Sequence, residues 1–487
     1  MNPHPLRSPI NLHQPTDHHL TRRGITSFIG LASQGAIRLA ITIIIGRYAG
    51  ATALGLVATG QATAQLLILL WPTTAGQAAS RFLAQARGRK NHNEIDTIAT
   101  HLNHRVITTA LLLALISIPI TLTRANDPLS ATCVALFLLG IAGQQYTRGI
   151  HYGVGAVTRV VTLDCALSLT GLLGVVVAIS LGITDLRLLI PPALGFLLLT
   201  AACWPWHTPH PPLPTPQTHA LTREIDRFVT LGALGSLASA GLVQLSILIA
   251  STHGHAAAGA YSAAWNLAMP LTLLSGALSL VLYPNMAEAF GRKDNTAVTT
   301  QLDRGVRGLT FLVLPLVVVA SLLAPEIIQT FYGTAFTRSA PLMAILLLAV
   351  LITMIAVPCV NAITAGSRNG ILYTTIASLA GLATAVTVWT LSPRSWGIEA
   401  VAIGYLVGVS TTSSATIARA WKKYEMRWTA EAALIISAVI ITFLAATLTN
   451  LGSLARIGIA ALIVLVWCIT HPDQTRTWMK RLQRHHR

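Results

Sequence analysis

Arg38 stands in the middle of the apolar run GLASQGAIRLAITIIIG, residues 30–46. An Arg at the centre of a bilayer costs at least about 2.5–3.5 kcal/mol to insert, so such residues face a cavity, a partner or a ligand. At about 100° per residue, Ser27, Gln34, Arg38 and Thr42 fall on one stripe of a helix. A permanently charged planar fork, flanked by an amide and hydroxyls, suits an anion that offers several oxygen acceptors. The structural alternative is an Arg satisfied by helix carbonyls or by a buried carboxylate. The sequence offers one obvious buried counter-charge, Asp164, five residues after Arg159. Asp164 either sits near an interface or lies deep enough to pair with Arg38 or carry a proton.

Uncharged polar groups add a second set. Gln61 and Gln65 are one helical turn apart, and the related stretch further on carries Trp265 and Asn266. Amides on a shared helix face bond either to sugar hydroxyls or to a neighbouring helix. Tyr261 and Trp265 are also one turn apart, a spacing that suits stacking on a sugar but that more often serves packing. Arg47 lies nine positions from Arg38, on the opposite face at the end of its segment, and reads as an interfacial anchor. Prolines 119, 270, 315 and 358 interrupt apolar runs and mark bends.

The five cysteines (Cys133, Cys165, Cys203, Cys359, Cys468) lie in or at the ends of apolar segments without CxxC spacing, so they are expected neither to bind metal nor to form disulfides. His residues cluster in tails and loops. No G-x-x-x-x-G-K-[ST], HExxH or G-x-S-x-G occurs, so neither a cofactor nor an enzymatic reaction is expected.

The elements that must position these residues are membrane helices. The chain of 487 residues is 53% hydrophobic and 10% charged, with mean hydropathy +0.63, whereas soluble domains average about 25% charged. A span needs about 20 apolar residues, and the chain divides into about fourteen such segments. The first two, 24–47 and 53–82, carry Arg38 and the Gln61/Gln65 pair. The net charge of +17 is concentrated in alternate loops, the pattern of the positive-inside rule. That predicts a multi-pass plasma-membrane protein with both termini cytoplasmic, and makes nucleic acid an unsuitable partner.

The chain repeats itself. Gly50 and Gly55 recur as Gly254 and Gly259, ARGRK (86–90) recurs as AFGRK (289–293), and YGVGAVTR (152–159) takes the place of ITAGSRNG (363–370). The expected organisation is a disordered cytoplasmic tail over 1–23, a six-helix lobe over 24–204, a Pro-rich cytoplasmic linker over 205–223, a second six-helix lobe over 224–425, two extra membrane helices over 426–470 and a basic cytoplasmic tail over 471–487. Six being even, the lobes are expected to be related by a pseudo-twofold axis along the membrane normal, and repeats of this kind mark transporters.

The stretch IIIGRYAGATALGLVATGQATAQLL resembles the turn between the first two helices of the polysaccharide and oligosaccharidyl-lipid flippases, the Wzx-type branch of the multidrug/oligosaccharidyl-lipid/polysaccharide exporter superfamily. GAYSAAWNLAMPL, LYPNMAEAF, LLAPEIIQTFYGTAFTRSAPLMAILLL and SWGIEAVAIGYLVG are similar to that branch's later turns and helix starts. The resemblance spans roughly residues 24–425 and rests on packing and turn signals. It implies an all-α, V-shaped carrier of about fourteen helices that moves an undecaprenyl-diphosphate-linked oligosaccharide from the inner to the outer leaflet by alternating access. Arg38 would then neutralise the diphosphate, with Gln34, Gln61, Gln65 and Asn266 at the substrate. Membrane lipids, and a polysaccharide polymerase or glycosyltransferases, would be its partners. The rivals are a cation-coupled exporter of drugs or small solutes in the same superfamily, a lipid II flippase, and a membrane glycosyltransferase or polymerase.

Overall fold

The computed structural model describes residues 20–125, 127–206, 216–366, 368–447 and 452–470, and among these every regular element is helical. The tails expected over 1–23 and 471–487 lie outside the described residues except for the helical residues 20–23, and so do residues 207–215 of the Pro-rich linker. Among the described residues ten helical stretches are long and apolar enough to cross a membrane, and two shorter apolar helices, Thr429–Thr442 and Ser453–Trp467, join them. The chain is a multi-pass membrane protein. Lipid offers no hydrogen bonds, so every backbone group must be satisfied inside its own helix. Intramembrane hydroxyls obey the same rule: Thr59 donates to the Gly55 carbonyl at 2.7 Å and Thr63 to the Thr59 carbonyl at 2.9 Å.

The chain divides into two compact units, residues 1–262 and 263–487. The first contains α1 (Leu20–Ile44), α2 (Gly50–Ile68), α3 (Pro72–Gly88), α4 (His92–Ala125), α5 (Pro128–Gly153), α6 (Val157–Ser180), α7 (Ile190–Cys203) and α8 (Pro216–Ala250). Helix α5 is its centre, packed by α2, α3, α4 and α7, while α6 packs on α7 and α1. Burial follows position: 67% of the apolar window of α5 is buried against 22% for α6, which turns Leu169, Leu173 and Val177 outward. Asp127 starts α5 by accepting from the Ser130 hydroxyl and from the backbone N–H groups of Ser130 and Leu129, contacts that hold its carboxyl below the usual range.

Helix α9 (His255–Ala268) begins in the first unit and ends in the second, which continues with α10 (Thr272–Gly291), α11 (Asn295–Leu322), α12 (Ala324–Tyr332), α13 (Ser339–Gly366), α14 (Arg368–Leu391), α15 (Gly397–Tyr424), α16 (Thr429–Thr447) and α17 (Ser453–Thr470). The order of neighbours recurs here. Helix α13 is central with 72% of its window buried, packed by α10, α11 and α15, and α14 packs on α15 with 22% buried. Helices α16 and α17 are pinned at two places. Arg307 on α11 bonds to Asp303, to Glu431 on α16 at 2.5 Å and to the Arg427 carbonyl, and Arg456 on α17 pairs with Glu326 on α12 at 3.2 Å.

Two uninterrupted apolar runs of the sequence, 53–82 and 257–284, are broken in the fold. The run 53–82 stops at Ile68 and restarts at Pro72, where the ring has no N–H to lose at the first helical position. The run 257–284 is interrupted by a 3-10 turn at Met269–Leu271, which contains Pro270. Prolines 119, 315 and 358, by contrast, lie inside helices that continue through them. The last eight residues of the expected linker, 216–223, are already part of α8.

The repeated glycines meet each other. Gly50 and Gly254 have φ of +88° and +107°, a conformation L side chains rarely adopt, and they break the chain just ahead of the contact. A Cβ on Gly55 would lie 1.7 Å from the His255 carbonyl oxygen and 2.8 Å from the Gly259 nitrogen; one on Gly259 would lie 2.0 Å from the Ala51 oxygen and 3.1 Å from the Gly55 nitrogen. The contact is reciprocal, residue for residue, as a local twofold demands. Backbone cannot yield as a side-chain tip can, so Gly55→Ala is expected to destabilise the protein by about 1–3 kcal/mol, the range for overpacking. Thermal unfolding in detergent measures this, and an unchanged melting temperature would show that the two helices separate freely.

Candidate functional site

A buried polar cluster joins three helices of the first unit. Helix α1 contributes Gln34 and, one turn on, Arg38; α5 contributes Gln144, Arg148 and Tyr152, spaced one turn apart; α6 contributes Asp164. The helices approach closely because Gly30 leaves room for Val161: a Cβ at Gly30 would lie 2.5 Å from a Val161 methyl. Asp164 is seven residues into α6, about 10 Å along its axis, and Arg148 is five residues from the end of α5, about 8 Å. Both lie inside the apolar spans, toward the end at which α5 turns into α6.

Asp164 is 5% exposed and Gln144 is fully buried. Gln144 donates Nε2–H to Asp164 Oδ1 at 2.6 Å, and Gln34 donates Nε2–H to Asp164 Oδ2 at 3.2 Å. Arg148 donates Nη1–H to Gln34 Oε1 at 2.8 Å and lies 3.7 Å from Asp164 Oδ2, while its Nη2 reaches the Tyr152 hydroxyl at 3.4 Å. Two amides and a guanidinium thus enclose one carboxylate, the arrangement a buried charge needs.

Arg38 is the remaining member. It lies within electrostatic range of both Arg148 and Asp164, is partly buried, and makes no hydrogen bond or ion pair with any described residue. Two guanidiniums share one carboxylate, leaving an excess of one positive charge inside the membrane span. An uncompensated charge in that environment is costly and attracts an anion.

Of the residues singled out by sequence, Gln34, Arg38 and Asp164 come together here. Asp164 is paired with Arg148, and Arg38 stands beside the pair. Gln65 accepts from Gln244 Nε2 on α8 at 3.2 Å, a helix-to-helix bond, and Gln61 lies one turn earlier on α2, partly buried. Asn266 belongs to the second unit, next to Trp265, whose ring meets Tyr405 edge-on at 5.5 Å. Tyr261 is fully buried, as a packing residue would be. Gln144 and Arg148 were not among the sequence candidates. Their spacing in GQQYTRGIHYG, with Tyr152 a further turn on, was the available signal.

Residues 160–341 match the model of a family described as polysaccharide biosynthesis protein. That segment contains Asp164 and Asn266 but not the α1 and α5 parts of the cluster. Comparison with curated protein sequences gives no match. Among solved structures, the chain is similar to an inward-facing multidrug resistance MATE family transporter of the MOP superfamily, with TM-score 0.64 and 16% identity, covering 80% of this chain and 94% of that one. It is similar to the lipid II flippase MurJ in an inward closed conformation, with TM-score 0.64 and 14% identity over 92% of this chain and 99% of that one. A MOP superfamily transporter from Pyrococcus furiosus gives TM-score 0.55 and 16% identity over 85% and 97%. The fold expected from the resemblance seen in the sequence is therefore borne out: the chain is similar in fold to these transporters.

Proposed function

We propose that this protein is a flippase that moves a polyprenyl-diphosphate-linked oligosaccharide, a precursor of a polysaccharide, from the inner to the outer leaflet, exposing its binding site to one side and then to the other. One observation carries the reading: on membrane helices of the first unit two guanidiniums share one carboxylate, and Arg38 is without a partner among the described residues. A lipid diphosphate fits that need, because its oxygens match the guanidinium fork and its two charges exceed the excess they meet. The prenyl chain stays in lipid while the head reaches the polar stripe of α1. Gln34, Gln61, Gln65 and Asn266 are the candidates for contacts with the sugars. The excess of Lys and Arg in alternate loops supports a reading in which both termini are cytoplasmic.

The match to polysaccharide biosynthesis proteins supports this substrate class, and the name of MurJ supports a diphospholipid cargo. Lipid II shares the same diphosphate chemistry and differs in its glycan. A cationic drug suits the cluster poorly, since the cluster already carries the excess positive charge. The test is the leaflet distribution of lipid-linked saccharides in cells depleted of the protein. Accumulation of precursor on the cytoplasmic leaflet is the expected result. A normal distribution, together with new sensitivity to toxic cations, would replace this reading with the exporter.

A further inference from the structure

Asp164 is the carboxylate that faces Arg148, at ion-pair distance and without a direct hydrogen bond to it. Its carboxylate lies 3.7 Å from Arg148 Nη1 and receives the amide of Gln144 at 2.6 Å and that of Gln34 at 3.2 Å. The site is not sealed, since the side chains of Arg148 and Asp164 keep 13% and 7% of their surface accessible. The two guanidiniums and one carboxylate of the cluster sum to one net positive charge. A diphosphate diester brings two negative charges, so with Asp164 ionised the loaded cluster would be one charge negative, and with Asp164 protonated it is neutral.

A second observation points the same way. Gln144 is fully buried, and its Oε1 has no hydrogen-bond partner. An amide turned over presents oxygen where it had presented N–H. Gln144 therefore holds an unused acceptor beside a carboxylate that, once protonated, becomes an O–H donor.

We propose that Asp164 is a resident counter-ion which a phosphate displaces from Arg148, and that its carboxylate takes up one proton from solvent as a diphosphate binds to Arg38 and Arg148. The proton goes to a carboxylate oxygen of Asp164, whose O–H then points to Gln144 Oε1. The Gln144 amide turns over, giving up its N–H bond to Asp164, and the Asp164–Arg148 ion pair is replaced by phosphate on Arg148; no other covalent bond is made or broken, and the diphosphate stays ionised. The inference rests on the anion-binding reading above and adds what regulates that site.

The groups around Asp164 are accounted for on each element packed against α6. Helix α1 presents Gln34 and Arg38, α5 presents Gln144 and Arg148 with the Tyr152 phenol and the His151 ring one turn further on, and α7 presents the Cys203 thiol. On α6 itself are Cys165 and, five residues earlier, Arg159. Arg47, and Arg187 with its partner Asp185, belong to the segments that pack toward the far end of α6. Among the described residues Asp164 is the one carboxylate at this end of α6, since Asp185 lies at the far end and is paired with Arg187, and that makes Asp164 the proton acceptor.

The experiment is calorimetric titration of the full-length protein in nanodiscs with a short-chain polyprenyl-diphospho-N-acetylglucosamine. It is run at about pH 6 and about pH 8, in buffers of different ionisation enthalpy, a range over which a carboxylate can gain a proton and the diphosphate diester does not titrate. Wild type is expected to bind about tenfold more tightly at the lower pH and to take up about one proton per ligand. Asp164→Asn should bind at the higher pH as wild type does at the lower one, with no proton uptake, and Asp164→Glu should retain uptake. Arg38-dependent binding with neither pH dependence nor proton uptake overturns the counter-ion role and leaves the flippase reading standing. Proton uptake that persists in Asp164→Asn overturns it as well. No binding by wild type at either pH overturns both. Should Asp164→Asn fail to fold, the proton count of wild type and of Asp164→Glu still decides.

Discussion

Arg38→Ala is expected to slow translocation of a lipid-linked saccharide in reconstituted vesicles by about ten- to a hundredfold, while leaving the melting temperature of the protein unchanged. The magnitude follows from a hydrogen bond to a charged group, about 1.5–3 kcal/mol, lost with the ligand anion. The unchanged stability follows from geometry: among the described residues Arg38 has no hydrogen bond or ion pair to lose. Those two expectations separate function from structure. A structural Arg would lower stability and transport together, whereas a ligand-binding Arg lowers transport alone. Arg38→Lys sharpens the distinction, because it keeps the charge and loses the two-pronged geometry. It should restore part of the rate. A variant that unfolds more readily than wild type and transports normally once folded would move Arg38 into the scaffold.

Arg38 was legible in the sequence because a charge inside an apolar run has no ordinary explanation, and Asp164 because few carboxylates lie within such runs. Gln34 followed from helical periodicity alone. Arg148 was not legible for a reason that is itself physical. The apolar run of this span, 129–149, gives out beside Arg148, so hydropathy reads that residue as part of a basic loop, but α5 runs on to Gly153 and keeps His151 and Gly153 buried. Its continuation depends on close packing: a Cβ at Gly149 would lie 2.0 Å from the Gly76 carbonyl oxygen, and one at Gly153 would lie 2.9 Å from that of Ala79. Contacts across about seventy residues of sequence thus decide where this span ends. Hydropathy cannot see them.

The glycine repeat shows the opposite balance. Its recurrence was plain in the text, and the reciprocal contact of Gly55 with Gly259 gives it a cause, since only a residue without a side chain permits both backbones to meet. The break at Leu69–Trp71 was hidden, although Pro72 was visible, because proline alone does not stop a membrane helix. Pro119, Pro315 and Pro358 are carried inside continuous helices of the same protein. Which proline breaks and which only bends depends on what re-satisfies the freed carbonyl. The purpose of the last two helices was likewise unreadable, because Arg307, Glu431 and Trp428 come together only in the fold.

Arg148→Ala should be the most destabilising single change in the cluster. It leaves Asp164 buried with two amide donors and no adjacent guanidinium, and removing one member of a buried pair typically costs about 3–5 kcal/mol. Arg38 remains in electrostatic range, which places the expected loss near the lower end, about 3 kcal/mol. Asp164→Asn should cost less, because the two changes strand groups of different reach. An abandoned Asp is short and cannot leave its site. An abandoned Arg148 sits five residues from the end of α5 and can extend its head along its own stem toward that end, keeping Tyr152 in reach. The double variant Arg148→Ala with Asp164→Asn therefore recovers most of the stability lost in Arg148→Ala alone, since no charge of the pair is left behind. Denaturant unfolding of the four proteins in one detergent closes this cycle. A double variant as unstable as the sum of the singles would mean that Arg148 and Asp164 act independently, and the single carboxylate shared by two guanidiniums would then lose its meaning for the anion site.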